Sequence, residues 1–103
     1  MPKYLFVYHG GKKPESPKEI EEVMAKWGAW LGGMGAAAID PGNPVGMSKT
    51  VSNGSVADNG GANPASGYGV ISASSMDNAV TLAKGCPILE VDGTVEVAEI
   101  MEM

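Results

Sequence analysis

The sequence predicts an α+β domain with elements in the order β-α-β-β-α-β. Three observations lead there. Two amphipathic stretches, each opened by a capping serine, have helical spacing. Between and around them lie short runs rich in aromatic and β-branched residues. Gly, Pro and Asn clusters separate the runs. A chain of 103 residues holds one domain with a modest core.

Residues 3–9 read as the first strand. Tyr4, Phe6 and Tyr8 alternate with Leu5, Val7 and His9, and both sets are largely apolar, so both faces of this strand should be covered. Gly10-Gly11-Lys12-Lys13-Pro14 ends it. Ser16 before Pro17, with Glu19 three positions on, is a capping box with proline at the first helical position. From there Ile20, Val23, Met24, Trp27, Leu31 and Met34 form one apolar stripe, widened by Trp30, which predicts a helix over 17–33. Gly32, Gly33 and Gly35 stop it.

Ala36 to Ile39 is a short apolar run that could add a short strand near residue 38, followed by turn chemistry in Asp40-Pro41-Gly42-Asn43-Pro44. Met47 to Ser52 reads as a short strand around Thr50-Val51, and 53–66 as a long Gly/Asn/Ser/Ala-rich loop. Gly67 to Ala73 is a strand. Ser74 or Ser75 caps a second helix whose stripe is Met76, Ala79, Val80, Ala83 and Cys86, stopped by Gly85 and Pro87. Asp92-Gly93 turns the chain into a last strand, Thr94 to Met101, whose alternation slips after Val97, as at a bulge or in a strand buried on both faces.

This order is the ferredoxin-like split pattern, an antiparallel sheet with both helices on one face. Helices on one face leave the other uncovered, and a second copy of the chain is the simplest cover. A homodimer built as a dimeric α+β barrel is therefore expected.

Composition excludes several functions. All seven basic residues are lysines and the net charge is −5, so the chain lacks the basic footprint and the arginine forks of nucleic-acid binding. One cysteine forbids an internal disulfide, and one histidine with scattered carboxylates makes no transition-metal cluster. No cofactor is expected. No stretch approaches the roughly 20 apolar residues of a membrane span, and the N-terminal apolar run is too short for a signal peptide, so the expected location is cytoplasmic.

Few residues can carry chemistry. His9, at the end of a strand beside two glycines, is the natural general base, with Asp40 or Asp58 to orient its ring. The plainer alternatives are a strand-end histidine without a role and an Asp40 that caps its own turn. Tyr8 and Tyr68 are candidate donors in a pocket, and Trp27 and Trp30 candidate aromatic walls; each also suits simple packing. Cys86 falls on a buried stripe near a helix C-terminus, where a thiolate is disfavoured, and reads as structural. Lys12 and Lys13 lack the phosphate-loop spacing and read first as a solvated pair, with attraction of an anion as the alternative.

Gly67-Tyr68-Gly69-Val70-Ile71, then Ser75 through Pro87, then Gly93-Thr94-Val95-Glu96-Val97 resemble the C-terminal half of the YCII-related (YciI-like, DGPF-type) family. Lys3 to Tyr8 resembles its first strand, and together these segments cover about two-thirds of the chain. The resemblance implies a ferredoxin-like fold paired into a dimeric α+β barrel, and lyase-like chemistry on small molecules in some members. The family's Asp-Gly-Pro-Phe signature survives here only as Asp58-Asn59-Gly60-Gly61. Trp27 stands where the family's helix histidine would be, while Asp40 lies near its aspartate partner. Two functions follow as expectations. One is a homodimer that binds a small aromatic or acidic metabolite without strong catalytic activity. The other is a cofactor-free lyase or isomerase that uses His9 and an aspartate.

Overall fold

The computed structural model describes residues 1–58 and 63–103. Strand β1 (Lys3–Gly10) is followed by helix α1 (Pro17–Met34), a 3₁₀ turn at Gly35–Ala37 and strand β2 (Ala38–Asp40). Strands β3 (Lys49–Ser52) and β4 (Ser55–Asp58) come next, then β5 (Ala65–Ser72), helix α2 (Met76–Ala83), a second 3₁₀ turn at Pro87–Val91 and β6 (Gly93–Glu99). The main sheet runs β2-β5-β1-β6 with every pair antiparallel. This α+β arrangement of four strands and two helices is compatible with a ferredoxin-like fold.

Both helix starts follow from their serines. Ser16 Oγ accepts from the Glu19 N–H at 3.2 Å, and the Glu19 carboxylate reaches back to the Glu15 N–H at 2.9 Å. Ser75 Oγ accepts from the Asn78 N–H at 3.1 Å.

The core lies between the sheet and the helices. Tyr4, Phe6 and Tyr8 of β1 are buried with Ile71, Ala73, Ala79, Ala83, Cys86 and Ile88. Trp27, Trp30 and Met34 of α1 close over them. The Trp30 indole N–H donates to the Leu82 carbonyl at 3.0 Å, which ties α1 to α2. Leu5, Val7 and His9 point to the opposite face, beside Val70 and Tyr68 on β5 and Ala98 and Glu96 on β6.

The structure corrects the sequence reading in several places. The stretch expected as one loop holds the second strand of a hairpin: β3 and β4 pair from Lys49↔Asp58 to Ser52↔Ser55 around an Asn53-Gly54 turn, with Gly54 at φ 87°. Strand β5 starts at Ala65, two residues earlier than expected. Of the Asp58-Asn59-Gly60-Gly61 remnant, only Asp58 lies within the described residues. Strand β6 ends at Glu99 and pairs with β1 without a register shift; the shift falls in β5 instead, opposite Tyr8/His9. Ile20 and Met24 are exposed, because α1 turns Val23, Trp27 and Trp30 inward. Helix α2 stops at Ala83, leaving Cys86 buried in the turn beyond and Met76 and Val80 exposed. Among the described residues no helix is long and apolar enough to cross a membrane.

Candidate functional site

A cleft of about 350 Å³ opens where the C-terminal end of β1 meets α1 and the Pro87–Val91 turn. Its walls are mostly apolar, with Val23 and Trp27 from α1, Pro44 and Val45 from the segment after β2, and Ile88 and Val91 from the turn. At its inner end a smaller chamber of about 100 Å³ is bounded by Tyr8, Asn43, Gly67 and Tyr68, among others. Cleft and chamber share Trp27, Pro44, Ser66 and Ile88, so they adjoin. At about 30 Å³ per water, the chamber has room for roughly three water-sized groups and the cleft for roughly a dozen.

Two sequence features build the chamber. The first is Gly67-Tyr68-Gly69. Tyr8 lies across these glycines: a Cβ at Gly67 would stand 3.0 Å from the Tyr8 ring, and one at Gly69 would stand 3.3 Å from its hydroxyl. A side chain at either position would force the ring to yield by a few tenths of an ångström. Trp27 holds the ring from the other side, edge to face at 4.9 Å between centroids and 77° between planes. The second feature is the register shift. Tyr8 pairs with Gly67 and His9 with Ala65, which leaves Ser66 as the extra residue of a β-bulge. Bulges re-aim side chains, and this one turns Ser66 into the cleft wall.

The segment Asn43–Val45 straps along β5 and completes the rim. Asn43 accepts from the Tyr68 N–H at 3.2 Å, and the Val45 N–H donates to Ser66 at 3.0 Å.

The Tyr8 and Ser66 hydroxyls are the site's distinctive polar groups. Both oxygens are buried, and neither has a hydrogen-bond partner among the described residues. Tyr8 as a whole is only 4% exposed. A buried hydroxyl without a partner costs about 1–3 kcal/mol. Burial, and secondarily the neighbouring Cys86, push the Tyr8 phenol far above its ordinary value of 10, so it stays a protonated donor. Burial also pushes the Cys86 thiol up, to about 11, in keeping with a structural role.

Three lysines, Lys12, Lys13 and Lys26, stand around the mouth. Lys26 Nζ meets the Glu90 carboxylate at 3.0 Å, and Lys12 Nζ meets Asp92 at 3.6 Å. Lys13 forms no ion pair among the described residues. An adjoining hollow shares the three lysines with the cleft and adds Glu15, Glu19 and Glu22 to its lining.

The residues expected from sequence divide between the two faces of the sheet. Tyr8 and Trp27 come together in the cleft, while Trp30 sits behind them, 5.6 Å from Trp27 between ring centroids. Tyr68 lines the chamber, although its register places it on the helix-free face opposite Val7. His9 is also on that face. Its ring, 11% exposed, places Nε2 3.0 Å from a Glu96 carboxylate oxygen and Nδ1 3.3 Å from the Pro64 carbonyl. Both neighbours are acceptors, so the two bonds form together only when both ring nitrogens carry protons.

Neither aspartate is brought to His9. Asp40 Oδ1 accepts from the Gly42 N–H at 2.9 Å, which caps its own turn, and β5 separates β2 from β1, a gap of roughly 10 Å. Asp58 pairs with Lys49 at 3.3 Å in the separate hairpin. Glu96 and Ser66 were missed in the sequence. The spacing of Glu96 from His9 spans 87 residues, and only the pairing of the first and last strands brings the two together. Compared with known proteins, the chain matches no family model and no curated sequence.

Proposed function

We propose that this chain is a small-molecule-binding domain that works as a homodimer and lacks strong catalytic activity. The observation that carries the reading is the mostly apolar cleft of about 350 Å³ walled by Val23, Trp27, Pro44, Ile88 and Val91, with an adjoining chamber at its inner end. A concave, mostly apolar cleft with a few polar groups in its lining has the makings of a ligand site. The strand order and antiparallel pairing support a ferredoxin-like assignment, and with it kinship to YCII-related domains.

Because Trp27 lines the cleft, occupancy should change tryptophan emission. A panel of small carboxylic acids and neutral analogues, screened by emission and by melting temperature, tests the reading. A ligand at a hundred times its dissociation constant adds about 2.7 kcal/mol. At about 4–8 °C per kcal/mol for a domain of this size, the melting temperature rises by roughly 10–20 °C. A panel that changes neither signal would refute the reading.

The homodimer rests on the helix-free face, where Leu5, Val7, Tyr68, Val70 and Ala98 are all partly exposed. A contiguous apolar face of this kind is rarely left in water, and obligate homodimer interfaces bury about 2,000 Å² or more. Light scattering at micromolar concentration should give twice the chain mass of 10.5 kDa. Leu5→Asp, at the centre of the face between Val70 and Ala98, should reduce it to the single-chain mass. A parent protein that runs as a folded monomer overturns the dimer and leaves the cleft untouched.

A second reading, a cofactor-free lyase or isomerase step with His9 as base, draws on the His9–Glu96 contact. Here Glu96 takes the orienting role in place of Asp40 or Asp58. Turnover of a bound acid, abolished by His9→Ala, would favour it over binding alone.

A further inference from the structure

We infer that β6 carries a second, weaker self-association surface, at which two copies of the chain pair edge to edge, antiparallel and centred on Val97. The main sheet ends at β6, so one side of this strand has no neighbour. The Ile100 N–H donates to the Lys3 carbonyl at 2.9 Å, and such bonds fall on alternate residues of an antiparallel pair. Ala98, Glu96 and Thr94 therefore turn their N–H and C=O groups toward β1, while Val95, Val97 and Glu99 turn theirs to the open edge. Open edges are commonly blunted by a proline, a lysine or a bulge. β6 has none of the three.

Beside this edge, on the helix side of the sheet, lies an apolar groove of about 350 Å³, walled by Met76 and Val80, by Leu89, and by Val95 and Val97. Met76, Val80 and Leu89 are 40%, 37% and 45% exposed. The groove shares no lining residue with the cleft.

Charge identifies the occupant. β1 runs against both β5 and β6, so those two run the same way, and α2, which joins them, runs against β6. Lys84, just past the end of α2, thus lines the groove toward the start of β6, and it forms no ion pair among the described residues. Pairing about Val97 sets Val97 against its own copy on the two-fold axis. It also sets Glu99 of each copy opposite Val95 of the other, at the end of the groove that holds Lys84. Two symmetric ion pairs follow, flanking the paired valines. One register step away, Glu96 would face its own copy, and directly opposed like charges are destabilising. Centring on Val95 instead carries Glu99 past the start of the other strand. A second copy therefore supplies the backbone partners, the apolar cover and the carboxylate together. The surface for such contacts exists: the chain exposes 7004 Å², where a 10.5 kDa monomer exposes about 5,400 Å². Five paired residues and one groove make a small interface, below about 1,200 Å², in the range of weak, reversible contacts.

Light scattering at about 5 μM and about 500 μM tests the association. The mass should rise toward twice its dilute value, and it should do so in Leu5→Asp as well, so loss of the helix-free-face dimer leaves the result readable. Amide exchange on the same samples locates the contact. Val95, Val97 and Glu99 amides should slow at least about threefold at the higher concentration, while those of Thr94, Glu96 and Ala98, bonded to β1 throughout, should not. Glu99→Lys and Lys84→Glu should each weaken association roughly three- to tenfold, and the double variant should restore it to within about twofold. Both side chains are exposed, so all three variants should melt within about 3 °C of the parent.

A mass that stays constant to about 500 μM overturns the inference. A mass that rises without slowing the three amides overturns it equally, by placing the contact elsewhere. Single reversals without effect, or a double variant that does not recover, overturn the register centred on Val97. None of these outcomes bears on ligand binding in the cleft.

Discussion

Replacing Gly42 with alanine should cost about 3–5 kcal/mol of stability and open the wall of the cleft. Gly42 has φ 71°, in the left-handed region, where an L side chain costs about 1–2 kcal/mol. The larger part is steric. An alanine Cβ would fall on the Tyr68 carbonyl, well inside any permitted contact with its oxygen and 2.5 Å from its carbon. Both atoms belong to the backbone of β5 and cannot swing aside. The segment from Pro41 to Val45 must therefore lift off β5. That movement strains the bonds from Asn43 to Tyr68 and from Val45 to Ser66, and it takes Pro44 away from the cleft wall. At about 4–8 °C per kcal/mol, the melting temperature should fall by at least roughly 12 °C. Gly46→Ala is the control, because nothing lies within 4 Å of its Cβ position and its φ is not positive; it should change stability by less than about 0.5 kcal/mol. If the Gly42 variant melted within 2 °C of the parent, the segment would not lie against β5 as described.

Phe6→Ala is the second large effect. Phe6 has no exposed surface, and its ring stacks on Trp30 at 6.2 Å between centroids and 19° between planes. It occupies the middle of β1, opposite Gly69 on one side and Val97 on the other. Gly69 has no side chain to fill the gap, so the cavity persists. Burying and then deleting such a ring costs about 3–5 kcal/mol, against a total of about 5–15 kcal/mol for a domain. Urea unfolding should show the midpoint falling sharply with little change in slope. Phe6→Leu, which retains most of the volume, should lose less than half as much. A loss below 1 kcal/mol for the alanine variant would mean that the core closes without this ring.

Local chemistry was legible in the sequence. Ser16-Pro17 with Glu19 marked the start of α1, Ser75 marked α2, and the apolar alternation from Tyr4 to Tyr8 marked both the buried and the open face of β1. The Asn53-Gly54 pair between Thr50-Val51-Ser52 and Ser55-Val56-Ala57 is a strong hairpin signal, but the surrounding Gly, Asn and Ser residues read as loop composition and masked β4. The exposed positions on α1 were misjudged for a different reason. The stripe from Ile20 to Met34 is wider than the area α1 has to cover, and only contact with Phe6 and Tyr8 selects Trp27 and Trp30 over Ile20 and Met24. The site was half legible. Tyr8 and Trp27 carry their chemistry in their side chains, so they could be named in advance. Ser66 matters because of a one-residue register shift, and Glu96 because of a pairing between strands nearly a chain length apart. Neither has a local pattern.

The strand order also dictates when the sheet can form. β1 is central, and its two neighbours are β5 and β6, both from the last 39 residues of the chain. On a ribosome, β1 emerges first and waits with both edges unpaired while α1, β2 and the hairpin are made. Even β2 cannot shelter it, because β2 bonds only to β5. All pairing in the main sheet is thus deferred until Ala65–Ser72 appears, and one edge of β1 remains open until Gly93–Glu99 follows. Closing loops of this length first and collecting contacts afterwards is what slows folding. The nascent chain accordingly carries an apolar Tyr-Leu-Phe-Val-Tyr segment with two free edges for most of its synthesis, the condition under which holding chaperones and like neighbours compete for a strand.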